Sequence, residues 1–377
     1  MRQYRLVDIS DETEIFIYGA GNNTNALIPY LIKYFHNVKI LAILVSDEYS
    51  LDGIKFDIPV LHIGDVPDNQ KNKMVIISTN DKYLAEIELA LSQFRFQRYI
   101  IMTFESESLE NLRIMAIRDI FKNEGNEFLM TDDILHHKDL TYKMDKSISI
   151  NMIKCHLDTE LKKTVPNKCF EYLAPLQVGT DLTDIRVARR TDNTGDNISE
   201  LNQQYCELTG TYWIWKNDRS DIKGLCHYRR LFKLTEDQIK YLFDNGVDAI
   251  LTVPILCQPN VRAIYKRDHN INDWDCMMET IRKCAPSYYE FAKRMEESEY
   301  YYGYNMVIAR RKVFDDYCNF LFPVLNEVKE KTDADRTVHE ETYQKRYIGF
   351  LAERLTSLYF TSHKEYMVVS ARKMFLR

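Results

Sequence analysis

Short apolar runs alternate with amphipathic stretches over residues 14–103. Residues 14–18 read as a strand, 25–35 as a helix, 38–45 as a second strand and 73–79 as a third. An amphipathic helix over 81–94 and a fourth strand over 98–103 follow. Strands that are apolar throughout and separated by helices imply a parallel sheet covered on both faces. Residues 104–147 are a charged connector with helical spacing over 109–121, and Asn123-Glu124-Gly125-Asn126 is a natural break. The chain is therefore expected to divide into domains 1–125 and 126–377.

A second α/β pattern begins at Ser147. Residues 148–155 form a strand ending at His156, and 165–179 read as loop because of Pro166, Pro175 and Gly179. The most densely specified stretch is 191–232. Asp192 to Asp196 is a polar turn around Gly195, and Asn197 with Glu200 has the form of a capping box. Ile198, Leu201, Tyr205, Leu208, Tyr212 and Trp215 recur at steps of three and four, the spacing of one buried helical face. Residues 222–228 follow as a strand with His227, Tyr228, Arg229 and Arg230 at its end. Further strands are expected at 247–253 and 305–309, and helices at 311–325 and 349–358. The mildly basic tail 364–377 reads as a closing strand or helix, or as a contact with an anionic membrane.

Composition narrows the classes. With 377 residues, two domains are the natural division; 45% hydrophobic and 28% charged residues describe an ordinary globular protein. The net charge is -6, and residues 1–125 carry 13 basic against 18 acidic side chains, so no basic field recruits nucleic acid. The 8 cysteines lie between Cys155 and Cys318 without a C-x-x-C pair and read as reduced thiols of a cytosolic protein. No signal peptide opens the chain, and no apolar run approaches the roughly 20 residues that span a bilayer. A cytoplasmic location is expected, with peripheral contact at the inner face of the cell membrane left open.

Candidate chemistry sits in two places. Gly19-x-Gly21 has the form of a dinucleotide turn, and Asp47 ends the second strand where a ribose-binding acid would stand. Thr24 replaces the third glycine, which predicts a looser helix–strand approach. In the second domain, His156 stands at a strand's carboxyl end, where open α/β sheets bind ligands. The helix start at Asn197 suits an anion. Asn202, Glu207, Trp213, Lys216 and Asn217 lie off the apolar stripe. Arg229 and Arg230 need an anion if either is buried, and that anion is Glu207 or a pyrophosphate.

The stretch 191–232 resembles the signature of a bacterial capsular and exopolysaccharide glycosyltransferase family, long catalogued as a domain of unknown function. The motifs are Asp192-x-x-Gly195-Asp196-Asn197-Ile198-Ser199, Asn202, Tyr205-Cys206-Glu207-Leu208-Thr209, Tyr212-Trp213-x-Trp215-Lys216-Asn217 and Gly224-Leu225-x-His227-Tyr228-Arg229-Arg230. Weaker matches continue at Tyr265-x-x-x-His269, Asn305-Met306 and Arg346-x-x-Gly349-Phe350-Leu351-x-Glu353-Arg354-Leu355.

The resemblance implies a GT-A-like α/β glycosyltransferase domain behind an N-terminal Rossmann-like domain. It implies transfer of a hexose, galactofuranose or a related sugar, from a nucleotide donor such as a UDP-sugar. The acceptor would be a growing polysaccharide or lipid-linked glycan. Donor-binding residues are then His156, Asp192, Gly195, Asp196, Asn197, Asn202, Lys216, His227, Tyr228, Arg229 and Arg230. Acceptor-binding residues are Trp213, Tyr265, His269, Asn305 and Arg346. Glu353 is the leading base for the acceptor hydroxyl and Asp273 the second. In the GT-A arrangement an Asp-x-Asp metal site ends the strand that here carries His227 to Arg230. No metal ligand is therefore assigned, and Mn²⁺ or Mg²⁺ stays open as a cofactor. Asp273-Trp274-Asp275 and Asp333-Ala334-Asp335 follow no apolar strand and read as solvated or capping carboxylates.

Two other functions compete. An oxidoreductase or epimerase would use Gly19, Gly21 and Asp47, but residues 1–125 hold no Tyr-x-x-x-Lys motif. A non-catalytic nucleotide-sugar-binding protein would use the second domain without chemistry.

Overall fold

The apolar runs become the buried strands of two sheets. The computed structural model describes residues 1–47, 54–135, 141–143, 145–155, 170–333 and 343–376. It divides into two units, Met1–Asn126 and Glu127–Arg377, both α/β with largely parallel sheets.

The first unit carries β1 (Arg2–Gln3), β2 (Glu14–Tyr18), α1 (Asn22–Tyr34), β3 (Lys39–Val45), β4 (Ile54–Lys55) and β5 (Ile58–His62). It continues with β6 (Met74–Ile77), α2 (Leu84–Gln93), β7 (Arg98–Ile101) and α3 (Glu107–Asn123). The sheet order is β1-β7-β6-β2-β3-β5-β4, parallel except for β4 against β5. The chain steps from β2 to β3 in one direction and later to β6 on the other side of β2. The carboxyl ends of β2 and β6 therefore flank a topological switch point. Val75 and Ile77 pack with Ile87 and Leu91 of α2. Right-handed crossovers place α1 on the opposite face. Thr24 is fully enclosed, and its hydroxyl donates to the carbonyls of Gly19 and Ser78. The looser approach expected there is replaced by a hydrogen-bonded one.

The second unit starts with α4 (Thr131–Ile134), β8 (Ile148–Lys154), β9 (Leu173–Gln177), β10 (Arg190–Thr191), α5 (Asn202–Tyr205) and α6 (Leu208–Asn217). Then come β11 (Ile222–Cys226), β12 (Arg230–Phe232), α7 (Glu236–Asp244), β13 (Ala249–Thr252), β14 (Ile255–Leu256) and α8 (Val261–Asp268). It ends with α9 (Ile271–Cys284), α10 (Tyr289–Glu297), β15 (Tyr300–Tyr301), β16 (Val307–Arg310), α11 (Arg311–Thr332), α12 (Tyr347–Ser362), β17 (Val368–Ala371) and β18 (Lys373–Phe375). The main sheet runs β10-β9-β8-β11-β16-β13-β17, with β16 antiparallel to both neighbours. Gly224 is required on β11, because a Cβ there would lie 2.1 Å from the Val307 carbonyl oxygen. The chain steps from β8 through β9 to β10, then returns to β11 on the other side of β8. The second switch point thus lies between β8 and β11.

Three local readings change. The stretch 165–179 contains β9, despite Pro175. Pro175 is opposite Met152 of β8, and β10 reaches only Leu176 and Gln177, so the missing N–H costs no ladder bond on that side. The single helix expected from Asn197 is instead a short 3-10 turn, then α5, then α6, broken at Cys206 with φ 52°. Asn197 accepts from the Ser199 N–H at 3.2 Å and caps no long helix. Finally, β11 ends at Cys226, and His227 to Arg229 form a turn into β12, which pairs with β18. The tail closes the fold as β17 and β18. Among the described residues no helix is long and apolar enough to cross a membrane.

Candidate functional site

The signature loop is first a structural clamp. The Asp192 carboxylate is fully buried and accepts from the N–H groups of Gly179 (2.9 Å) and Thr180 (3.2 Å). The hydroxyls of Ser199 (2.6 Å), Thr209 (2.7 Å) and Thr180 also donate to it. These donors fix the turn after β9 and leave Asp192 spent on its own protein. Gly195 has φ +63°, and a Cβ would lie 2.1 Å from Asn217 Oδ1. Asn217 accepts from the Asp196 N–H at 3.2 Å and donates to the Asp196 carbonyl at 2.8 Å. Trp213 Nε1 donates to the Thr194 carbonyl at 2.9 Å. The Asp196 carboxylate accepts from Tyr212. Lys216 lies over the Trp215 ring at 3.5 Å. Trp213, Lys216 and Asn217 stand at the far end of α6 from Glu207, about 9–15 Å along its axis at 1.5 Å per residue.

Asn202 translates the clamp into a site. Its Nδ2 donates to the Cys206 carbonyl at 2.6 Å and to Thr209 Oγ1 at 2.9 Å. This holds Cys206 in its left-handed conformation and projects Glu207 from the kink. Glu207 Oε1 accepts from Asn305 Nδ2 at 2.7 Å. Asn305 also donates to the Gly349 carbonyl at 3.2 Å, while its Oδ1 is buried without a partner among the described residues. Six described non-glycine residues have positive φ, and three of them, Cys206 (52°), Tyr304 (75°) and Asn305 (49°), meet here. Strained backbone concentrated in one place is characteristic of functional sites.

Arginines surround this place. Arg346, in the turn before α12, donates from Nε to Cys206 Sγ at 3.0 Å. The Arg230 guanidinium lies 4.6 Å from the centre of the Tyr304 ring, and Lys373 Nζ lies 5.3 Å from the same centre. Arg229 is exposed, beside the Tyr228 ring at 4.8 Å. His227 is buried, and its Nδ1 accepts from the Arg229 N–H at 3.3 Å, which leaves its proton on Nε2. Burial first, then the charges of Arg230, Arg346 and Arg229, hold His227 well below the ordinary imidazole range. It therefore stays neutral inside a cationic group.

Glu353 is a second carboxylate of this group, beside Glu207. Oε1 accepts from the Tyr304 N–H at 2.7 Å and Oε2 from Arg354 at 2.9 Å. Arg354 is itself buried, with its guanidinium 4.1 Å from the centre of the Tyr301 ring. The Glu353 side chain keeps 18% of its surface open. Burial raises its affinity for a proton and Glu207 adds to this, while Arg354, the Tyr304 N–H and Arg230 oppose; the balance is upward. Each of its oxygens keeps one further lone pair.

The structure thus brings together His227, Tyr228, Arg229, Arg230, Asn305, Arg346 and Glu353 at the carboxyl end of β11, beside the switch point. It also brings in Glu207, Tyr304, Lys373 and Arg354, which the sequence pattern does not assign to binding. Other expected residues lie elsewhere. Tyr265 is fully enclosed in α8 and Asp273 is buried in the first turn of α9, so neither presents an open face. His269 stacks on Phe350 with ring centres 4.0 Å apart, and burial followed by the Arg354 charge lowers its pKa to about 4. His156 lies outside the described residues. In the first unit Gly19 and Gly21 form the β2–α1 turn, and Asp47 follows β3. Among the described residues no three His, Cys, Asp or Glu side chains converge as a metal site, and Asp275 pairs with Arg262 at 3.0 Å.

Comparison with known proteins gives two matches. The family described as Domain of unknown function (DUF4422) matches residues 152–365, more than half of the chain. A solved structure, the WbbM bifunctional glycosyltransferase in its apo form, is similar with 25% sequence identity and a TM-score of 0.52. That likeness covers 61% of this chain and 45% of the other, so the chain spans less than half of that protein's length. None of the curated proteins matches.

Proposed function

This chain belongs to the DUF4422 family, and from that premise we propose that it is a glycosyltransferase that uses a nucleotide-sugar donor. The likeness to a bifunctional glycosyltransferase supports glycosyl transfer as the class of activity. The single observation that carries the reading is the arginine group around neutral His227, set against the proton-loving Glu353. A sugar leaves a nucleotide as its diphosphate, and the barrier falls when fixed cations receive that charge. Arg346 and Arg230 are held by neighbours, so they meet the leaving group without reorganising. A guanidinium also matches phosphate oxygens with paired hydrogen bonds.

Glu353 supplies the complementary half. An acceptor hydroxyl gains nucleophilicity as its proton moves to a base whose affinity for protons is raised. His227 is a weak base for that role, because burial and three arginines disfavour its protonated form. The donor we infer is a UDP-hexose, galactofuranose or a related sugar. The acceptor is a growing capsular or exopolysaccharide chain or a lipid-linked saccharide, met at the cytoplasmic membrane face. The GT-A-like reading of the second unit is supported by its mainly parallel sheet with antiparallel β16. Mn²⁺ or Mg²⁺ finds no ready set of carboxylates among the described residues, so no step is assigned to a metal.

The test is UDP release from a panel of UDP-hexoses, with and without a saccharide acceptor, by the wild-type chain and by Arg346→Ala. Acceptor-stimulated release that falls at least tenfold in the variant is expected. Equal rates in the two proteins would overturn the assignment of the diphosphate to this arginine group.

A further inference from the structure

The start of α1 in the first unit is an uncapped helix N-terminus above a close backbone turn. Gly19 has φ +111°, and a Cβ there would lie 2.7 Å from the Ser78 carbonyl oxygen, so the turn hugs the end of β6. Gly21 is different. Its φ is ordinary at -86°, and among the described residues a Cβ would meet nothing within 4 Å, so the space above it is open. Gly21 is the N-cap of a 13-residue helix with no side-chain cap and no acidic residue in its first turn. The first N–H groups of α1 thus point to open space with the positive end of the helix dipole behind them.

A second observation points to the same place. Ser78 directly follows β6 and is 1% exposed, and its Oγ has no partner among the described residues. Strand alternation sends Val75 and Ile77 to the α2 face, so Ser78 faces the α1 side, under the helix start. Its carbonyl is already bound to Thr24 Oγ1 at 3.2 Å, which fixes the residue against α1. Asn25 Oδ1, in the first turns of the same helix, is also buried without a partner among the described residues. A buried hydroxyl left unpaired lowers stability, a cost that a bound ligand removes. Lys55 donates to the Ala20 carbonyl and places a cation at the turn. Asp47 stands two residues beyond β3, the strand next to β2.

We propose that the first unit binds the diphosphate of a nucleotide at the β2–α1 turn. The phosphates meet the α1 N–H groups over Gly21 with Lys55 beside them, Ser78 Oγ donates from below, and Asp47 accepts from the ribose hydroxyls. This site is separate from the arginine group of the second unit.

The experiment uses the full chain carrying Arg229→Ala and Arg346→Ala, so that binding at the second unit is weakened. Isothermal titration calorimetry is run with ADP, NAD⁺, UDP and inorganic pyrophosphate. Saturable binding of at least one of the nucleotides is expected. Adding Gly21→Asp, which the backbone and the open space accept, is expected to weaken it at least tenfold by setting a carboxylate where a phosphate sits. Ser78→Ala should weaken it severalfold without lowering the melting temperature. Asp47→Asn should weaken the nucleotides and leave pyrophosphate unchanged, which separates ribose recognition from anion binding alone. Failure of all the nucleotides to bind in the millimolar range, or binding indifferent to Gly21→Asp, would overturn the proposal. Neither result bears on transfer by the second unit, which the UDP-release assay reads independently.

Discussion

The backbone N–H of Tyr304 donates to Oε1 of Glu353 at 2.7 Å, and Tyr304 reaches that geometry only at φ 75°. A strained turn thus orients a carboxylate whose proton affinity is raised. Glu353→Gln keeps an acceptor for that N–H but cannot take a proton, and transfer should fall about 100-fold or more. In the wild type, activity should rise with pH through the raised Glu353 value, above the ordinary 4.5. A rate–pH profile checks both. The sign for stability is opposite: the fold disfavours the charged form, so Glu353 lowers stability as pH rises above 4.5. The Gln variant should therefore be at least as stable at neutral pH.

Arg346 and Arg229 should not be equivalent. Arg346 is half-buried and held by Cys206, whereas Arg229 is exposed. An exposed charge is screened by water and salt. Arg229→Ala should cost about threefold in donor kcat/KM and lose its effect at high salt, while Arg346→Ala should cost about tenfold or more at any salt. Steady-state kinetics at two ionic strengths distinguish them.

Asp192→Asn should act on stability before activity. The amide presents N–H groups where Gly179 N–H and Thr209 Oγ1 now donate. Donor facing donor in a buried site should cost about 2–4 kcal/mol. Urea unfolding measures this, and the remaining folded protein should keep its KM for the donor.

Gly195→Ala tests the clamp separately. The new Cβ would enter the Asn217 amide while the backbone sits at φ +63°. A loss of about 1–3 kcal/mol is expected. Asn217→Ala should lower the added cost of the second substitution, which a double-mutant cycle reads.

Two histidines set an acid limit. His227 lies well below its ordinary 6.5 and His269 lies at about 4, both from burial first. The unfolded chain takes up these protons below pH 6.5 and the folded chain does not, so stability falls as pH drops from 6.5 towards 4. His269 alone should account for roughly 2–3 kcal/mol, discounted for its partial exposure. His269→Gln should flatten the dependence in thermal melts between these pH values.

Periodicity along the chain determined that both units are α/β with parallel sheets, because strand and helix patterns depend on near neighbours and on which face meets a core. It also marked 191–232 as unusual. What it could not show is that this stretch works by two routes. Asp192, Gly195, Trp213 and Asn217 hold one another, while Glu207 is carried to Asn305 and Cys206 to Arg346, pairs separated by 98 and 140 residues. The left-handed turn at Cys206 left no trace in composition, since it is held by Asn202 rather than by glycine. The position of Arg229 and Arg230 was legible, but what surrounds them depended on tertiary structure. Only packing brings Arg346, Arg230 and Arg229 around one buried His227, and only burial raises the proton affinity of Glu353. Desolvation and the summed field of distant charges are properties of the enclosed space, and no run of neighbouring residues encodes them.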